Sequence, residues 1–442
     1  MSDRVDEFIA APKRALFRLA APIVVAMFVQ TMYNIVDTAF VGALGAEAIA
    51  ALTFAFPIFF VIISLNAGIG VGINSIISRR LGAKDKDGAE DAAAHGMVIT
   101  VVFAGITFVL AWFTIKPLFG LLGAQEQVLS LALSYMRIIL LSAFFMFPAY
   151  ATNSIFTAQG DTRTPMLVQS CGLIINAILD PIFIYSLGFG VAGAAIATDI
   201  ALVFTLFLYI YFLRKKSHVK IRFQSFRFRL RLSQEILRVG APASLMMLMM
   251  SIYAMFLNRY MAHFGTVYVA SFGLAMRLES FVIMPIVALS ISLLTLAGMF
   301  YGARRFDLLK SISWFGIKIA VIFTSAQGLL FYLFPQLFLK IFTREQLLLM
   351  IGSAYLRVDV LTFPLMAVST IISRILQGMG FGVPGLVINL VRIFIVAVPS
   401  AYIFVFILGY GFISVAWAMV LGGVASIIVA FWWLTTKFKG LE

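Results

Sequence analysis

The sequence predicts an all-α polytopic membrane protein with twelve transmembrane helices in two pseudo-symmetric six-helix bundles. Three observations carry that prediction. Of 442 residues, 62% are hydrophobic and only 12% charged, and the mean hydropathy is +1.04; soluble domains are about 45–50% apolar and about 25% charged. The apolar residues gather into runs of about 20, separated by charged or Gly/Pro-rich breaks, and that is the length an α-helix needs to cross a bilayer. Finally, the second half of the chain repeats the first.

The twelve runs begin near residues 16, 51, 93, 128, 164, 190, 237, 268, 311, 349, 384 and 411. The first is too long for a signal-peptide core; Ala43-Leu44-Gly45 imitates a small-residue cleavage site but reads as the end of a retained helix, so no targeting segment is expected to be removed. Gly68, Gly70 and Gly72 in the second run fit close helix packing or a hinge, not a phosphate loop. The fourth run carries Tyr135, Arg137 and Asn153, the fifth Gln169, Cys171, Asn176 and Asp180, and the sixth Thr198 and Asp199. Between the fifth and sixth, Gly188-Phe-Gly190-Val-Ala-Gly193 spells the dinucleotide fingerprint, yet it joins two membrane helices outside any βαβ unit, which argues against nucleotide binding.

Met246, Met247, Met249, Met250 and Met255 in the seventh run suit either a greasy, adaptable cavity or ordinary core and lipid-facing positions. Arg277 and Glu279 in the eighth run, and Arg357 and Asp359 in the tenth, are charges at spacing two, which do not face each other on a helix. They either pair between helices or line the second bundle, and Arg137 and Arg392 leave a similar choice open. The single cysteine, Cys171, excludes an intramolecular disulfide framework and reads as a small hydrophobe. His95, His218 and His263 are scattered, with no partners at metal-ligand spacing. No Walker motif is present, so any energy must come from a gradient or another subunit.

A net charge of +14 raises the question of nucleic acid, but the Lys and Arg residues sit mainly in connecting segments: Arg4 to Arg18, Arg79 to Lys86, Arg214 to Arg238 and Arg304 to Lys310. The connections after the even-numbered runs, with both termini, hold most of the basic residues, which places both termini in the cytoplasm. Lys116, Arg259, Lys340 and Arg344 are the main exceptions. The long basic connection, with Arg227, Arg229 and Arg231 in alternation, reads as a cytoplasmic linker beside anionic headgroups. It divides the chain into an N-terminal lobe at 1–213, a linker at 214–235 and a C-terminal lobe at 236–442.

The lobes repeat with an offset of 220: Leu16-Phe-Arg18-Leu-Ala-Ala-Pro22 matches Ile236-Leu-Arg238-Val-Gly-Ala-Pro242, Gly45 matches Gly265, Gly82-Ala83 matches Gly302-Ala303, and Tyr135-Met-Arg137 matches Tyr355-Leu-Arg357. Further on, Gln159-Gly160 pairs with Gln377-Gly378 and Gly188-Phe-Gly190 with Gly409-Tyr-Gly411. Two six-span units that both start on the cytoplasmic side form a parallel repeat, an architecture suited to a transporter that rocks one bundle against the other.

Two acids break the symmetry. Asp37 and Asp180 lie within apolar runs, but position 257, opposite Asp37, is Leu, and the region opposite Asp180, near Val398 and Ala401, is apolar. An acid near the middle of a span costs about 2.5–3.5 kcal/mol on insertion scales, so its retention points to use. Gln30, Tyr33, Asn34 and Asp37 share one helical stripe, and Asn176 and Asp180 are one turn apart with Gln169 further along their face. Two polar stripes in one bundle are expected to meet inside it, because lipid would leave them unsatisfied. The structural alternative is interhelical glue, worth only about 0.6 kcal/mol per hydrogen bond on average.

Gln30-Thr-Met-Tyr33-Asn34-Ile-Val-Asp37 within Pro22 to Gly45, Asn176-Ala-Ile-Leu-Asp180-Pro181-Ile-Phe-Ile-Tyr185-Ser-Leu-Gly188-Phe-Gly190, and Gln159-Gly160-Asp161 resemble the multidrug and toxic compound extrusion (MATE) family, most closely its archaeal, DinF-like branch. The resemblance runs along nearly the whole chain. It implies a pair of six-helix lobes around a central cavity and antiport of organic cations or other amphipaths against protons or sodium. It further implies a coupling site at Asp37, Asn176, Asp180 and Thr198, which would hold a proton or sodium as coupling ion. By the same resemblance Tyr135 and Asn153 line the lobe and Pro22 lets the first helix bend. Gln30, Tyr33 and Asn34 join the cavity set from their place on the stripe of Asp37. Asp199 has no place in the family pattern, and the second-lobe acids of another branch have no clear match here, so no sodium site is expected in that lobe.

The expected function is a secondary active multidrug efflux antiporter, not an enzyme, working by alternating access and without a cofactor. Its partners would be small amphipathic substrates and membrane lipids but no nucleic acid. A monomer, multi-pass in the plasma membrane, is expected. The alternatives are a lipid-linked oligosaccharide or lipid flippase, which would gather cations such as Arg137, Arg277, Arg357 and Arg392 in its cavity, and, more remotely, a membrane receptor or integral membrane enzyme.

Overall fold

A computed structural model of the chain describes residues 2–121, 123, 126–221 and 226–441. Among them there is no strand. After a short helix, Ser2–Ala10, the long helices are α1 (Pro12–Gly42), α2 (Ala46–Gly82), α3 (Lys86–Leu121), α4 (Glu126–Ala158), α5 (Arg163–Pro181), α6 (Gly190–Lys216), α7 (Leu230–Ala262), α8 (Thr266–Gly302) and α9 (Phe306–Leu333). Then follow α10, made of Gln346–Asp359 and Thr362–Gly378 with a 47° bend between them, α11 (Val383–Ile407) and α12 (Ile413–Lys439). Among the described residues eleven helices are long and apolar enough to cross a membrane, and the bent pair makes a twelfth. Several helices start one to two turns before their apolar runs, because their first turns are polar, as with Lys86, Asp87 and Glu90 in α3.

The chain forms two compact units: Met1–Arg4 with Ala21–Ser244, and Val5–Ala20 with Leu245–Glu442. All three changes of unit fall inside helices: within Ser2–Ala10, beside Pro22 in α1, and two residues after Pro242 in α7. The core of the first unit is built from α2, α3 and α4, where Ile69, Ile73, Phe119, Phe147 and Ile155 are almost wholly buried. The start of α7 closes on α2 at glycines: a Cβ on Gly68 would lie 2.5 Å from the Gly240 carbonyl oxygen, and one on Gly72 would lie 2.2 Å from that of Ile236. Only residues without a side chain let two helix backbones approach this closely. In the second unit Phe272, Leu293, Phe300, Ile312, Phe363 and Ile372 fill the corresponding role.

The repeat is visible in the backbone. Gly45 and Gly265 have φ of 110° and 121°, Lys84 and Arg304 of 59° and 56°, and Gly188 and Gly409 of 70° and 66°. The pairing of Gln159-Gly160 with Gln377-Gly378 needs correction. Gly160 (φ 76°) is matched by Gly380 (φ 98°), and both turns close through the same pair of bonds, Gly160 to Thr157 and Asp161 to Phe156 against Gly380 to Gln377 and Phe381 to Leu376. Turn geometry therefore keeps the offset of 220, and the Gln-Gly dipeptide is a local coincidence.

The described part of the basic linker lies in the first unit, because two polar side chains fasten it there; its residues 222–225 lie outside the described residues. Gln159 Oε1 accepts the backbone N–H of His218 (2.8 Å) and of Val219 (3.2 Å), while its Nε2 donates to Ser217 Oγ (2.9 Å). Fully buried His95 accepts the Arg229 N–H at Nε2 (2.8 Å) and places Nδ1 2.8 Å from the Asp91 carbonyl oxygen. Asp91 also pairs with the Arg229 guanidinium at 3.1 Å, and the rings of Phe226 and Phe228 lie 4.8 and 5.9 Å from the imidazole. Burial, with Arg4 and Lys86 nearby, pushes the His218 imidazole below its ordinary pKa.

Candidate functional site

Helix α5 ends at Pro181 and runs into a wide turn, Ile182–Ser186, closed by Leu187 N–H on the Ile182 carbonyl at 2.9 Å. Such π turns often mark functional sites, and here the chain departs from α geometry directly after Asp180. The turn is tied to α1: Tyr185 OH donates to the Phe40 carbonyl at 2.5 Å, and the two rings meet edge to face at 6.4 Å. That tie fixes α1 and α5 beside each other at the level of their acids.

Four side chains then form a connected network. Tyr33 OH donates to Asn176 Oδ1, and Asn176 Nδ2 donates to Asp180 Oδ1 at 2.9 Å. The carboxyl group of Asp37 lies close to both Asp180 and Tyr33. Thr198, on α6, is likewise close to Tyr33 and turns its hydroxyl proton to the Ala194 carbonyl (2.9 Å), which leaves its oxygen lone pairs facing the cluster free to accept. Asn176 and Asp180 are 3% and 0% exposed, so the network is interior rather than lipid-facing. Two carboxylates at this separation repel, whereas one shared proton joins them.

Around the network the predicted residues divide. Tyr135, on α4, is within electrostatic range of Asp37, Asp180 and Asp199. Gln30 and Asn34 bond to each other at 3.1 Å on the exposed side of the α1 stripe. Asn153 instead contacts Thr157 (3.2 Å), and both it and Gln169 lie near Tyr209, whose buried hydroxyl has no hydrogen-bond partner among the described residues. Pro22 is buried inside α1.

Two features escaped sequence reasoning. Tyr185 was visible only as part of a motif, since nothing in spacing shows a hydroxyl bonding across 145 residues. Asp199 stood out as an acid but without a place; its Oδ1 is buried and has no hydrogen-bond partner, as is Asp180 Oδ2. Of the arginines expected to gather for a flippase, Arg392 lines a cavity within the second unit, whereas Arg137, stacked over Trp112 at 5.6 Å, Arg277 and Arg357 are exposed.

Repeated helical membrane units with carboxyl groups buried among their helices are the architecture of a secondary transporter. The MatE family model matches residues 22–182 and 242–403, and the chain belongs to that family of multidrug transporters; it is a membrane transporter and not an enzyme. It is 29% identical to the "Probable multidrug resistance protein YoeA" of Bacillus subtilis, over 88% of this chain and 86% of that protein. It is 28% identical to the "FAD transporter" of Shewanella oneidensis, over 91% and 90%. Among solved structures, that of a MOP superfamily transporter from Pyrococcus furiosus is 34% identical, with a TM-score of 0.92 over 97% of this chain and 96% of that one.

Proposed function

We propose that this protein is a multidrug efflux antiporter of the plasma membrane, with both termini cytoplasmic, that exports organic cations or amphipaths in exchange for protons or sodium. The observation that carries this reading is the carboxyl pair Asp37 and Asp180, on different helices of one unit and joined through Asn176 and Tyr33. A proton entering between the acids removes their repulsion and draws α1 towards α5; its loss drives them apart. Pro22 lies in α1 fifteen residues before Asp37, where the missing backbone donor weakens the helix, so α1 bends there as the pair opens and closes.

Sodium would use the same oxygens: both carboxylates, Thr198 Oγ1 and, after rotation of its amide, Asn176 Oδ1. In the arrangement seen, Asn176 turns its NH2 to Asp180 and its oxygen to Tyr33, which favours the proton. One proton crossing 100 mV releases about 2.3 kcal/mol, enough to hold roughly a fiftyfold gradient of a neutral substrate. The test is substrate efflux from proteoliposomes under separately imposed proton and sodium gradients, with a fluorescent organic cation and FAD as substrates. FAD belongs in the panel because one relative is named for it. Wild type should respond to the proton gradient and Asp37→Asn and Asp180→Asn should not; full gradient-driven efflux by both variants overturns the proposal.

A further inference from the structure

The second unit contains a cavity of about 70 Å³ that the carboxyl pair of the first unit does not explain. Its wall holds one anion and one cation, Glu279 from α8 and Arg392 from α11. Glu279 is 9% exposed and, among the described residues, has no hydrogen bond and no ion pair within 4.0 Å. Arg392 gives Nη2 to the Met250 sulfur at 2.9 Å, a weak acceptor, while its Nε is buried and bonds to nothing. The two charges feel each other across the cavity but do not touch. Asp359, 1% exposed, does not line it, and the Thr362 hydroxyl donates to the Asp359 backbone carbonyl at 2.7 Å.

A buried carboxylate and a half-buried guanidinium whose buried Nε has no acceptor, facing the same space, are unfavourable unless something lies between them. Water could bridge the charges, but apart from Thr362 and the Tyr253 hydroxyl the rest of the wall is apolar and soft: the rings of Tyr253 and Phe272 and the thioethers of Met276 and Met419 come from three helices. An aromatic and thioether lining beside an anion suits a methylated ammonium, which is attracted to ring faces and is too weakly hydrated to need water. The donor at Arg392 Nε calls for an acceptor oxygen at the other end of the same molecule. At about 70 Å³ the cavity is well below the roughly 300 Å³ of drug-sized sites, so the occupant is small.

We infer that the second unit binds a small zwitterion of the betaine type, its quaternary ammonium held by Glu279, Tyr253 and Phe272 and its carboxylate by Arg392. The site is independent of the antiport reading, since none of its residues belongs to the Asp37 cluster.

The measurement is equilibrium binding of radiolabelled glycine betaine to the full-length protein in nanodiscs, with competition by tetramethylammonium and by acetate, the two halves of the probe. Wild type and Asp37→Asn should bind betaine alike, each half competing at least tenfold less well than unlabelled betaine. Glu279→Gln and Arg392→Gln should each weaken binding tenfold or more, the first also removing competition by tetramethylammonium and the second that by acetate. Met276→Trp, which fills the cavity from a position that is already 37% exposed and leaves both charges in place, should abolish binding without lowering the thermal midpoint. It decides the matter if the charge variants do not fold. No betaine binding by wild-type protein, or unchanged binding by folded Met276→Trp, overturns the site. Loss of efflux in Asp37→Asn and Asp180→Asn with betaine binding intact supports both readings; full gradient-driven efflux by both variants with intact binding sinks the antiport mechanism alone.

Discussion

The two units share a fold and differ in what they do with charge. In the first, Asp37 and Asp180 sit on α1 and α5 and are wired to each other through an amide and a phenol. In the second, the equivalent helices α7 and α11 carry Leu257 and Ala401, and the buried acids have moved to α8 and α10, where Glu279 faces Arg392 across a gap. A network of short neutral and acidic donors changes its bonding when one proton arrives. Glu279 and Arg392 stand on different helices with a cavity between them and no bond joining them, so the second unit is suited to holding a ligand and the first to switching.

Several substitutions break or sharpen that contrast. The largest effect is expected from Asp180→Asn, which should reduce proton-driven efflux to the passive leak, measured in proteoliposomes. Leu257→Asp, an attempt to give the second unit the missing acid, should not rescue Asp37→Asn. It places a carboxyl at a position 1% exposed and should lower the thermal midpoint, with a cost of about 2.5–3.5 kcal/mol for an acid within a span. Gln159→Ala strands the N–H groups of His218 and Val219 and should cost about 1–3 kcal/mol, read as faster tryptic cleavage at Arg227, Arg229 and Arg231. Smallest is Tyr33→Phe, which removes one hydrogen bond to Asn176 and should slow efflux by roughly 2- to 10-fold, from about 0.5–1.5 kcal/mol. An effect of Tyr33→Phe as large as that of Asp180→Asn would mean that the phenol itself carries the proton.

Much of this was legible in the sequence because lipid permits so few solutions. Run lengths give the spans, and the positions of Gly45 and Gly265 give the repeat, since both adopt a φ that glycine tolerates. The acid cluster was legible as two stripes, because helical periodicity puts Tyr33 with Asp37 and Asn176 with Asp180. What periodicity cannot give is the rotation of one helix against another. That is why Asn153 and Gln169, polar and well placed on their own helices, turn out to lie near Tyr209. The segment reads in sequence only as a basic cytoplasmic linker beside anionic headgroups, since the residues that fasten it, His95 and Gln159, lie more than 50 residues away and read as isolated polar groups.

The division of α1 and α7 between the units has a consequence for how the protein is made. Val5–Ala20 leaves the ribosome first but belongs with residues 245–442, and Leu230–Ser244 completes a unit whose other helices were inserted long before. At about 5–20 residues per second, the first unit waits many seconds in the membrane with the glycine face of α2 uncovered, and the opening stretch of α1 waits longer still. Each half is completed by a stretch of chain that the other half carries. A gene cut within the linker would yield fragments that each lack a piece carried by the other, and assembly would depend on both being inserted into the same membrane together.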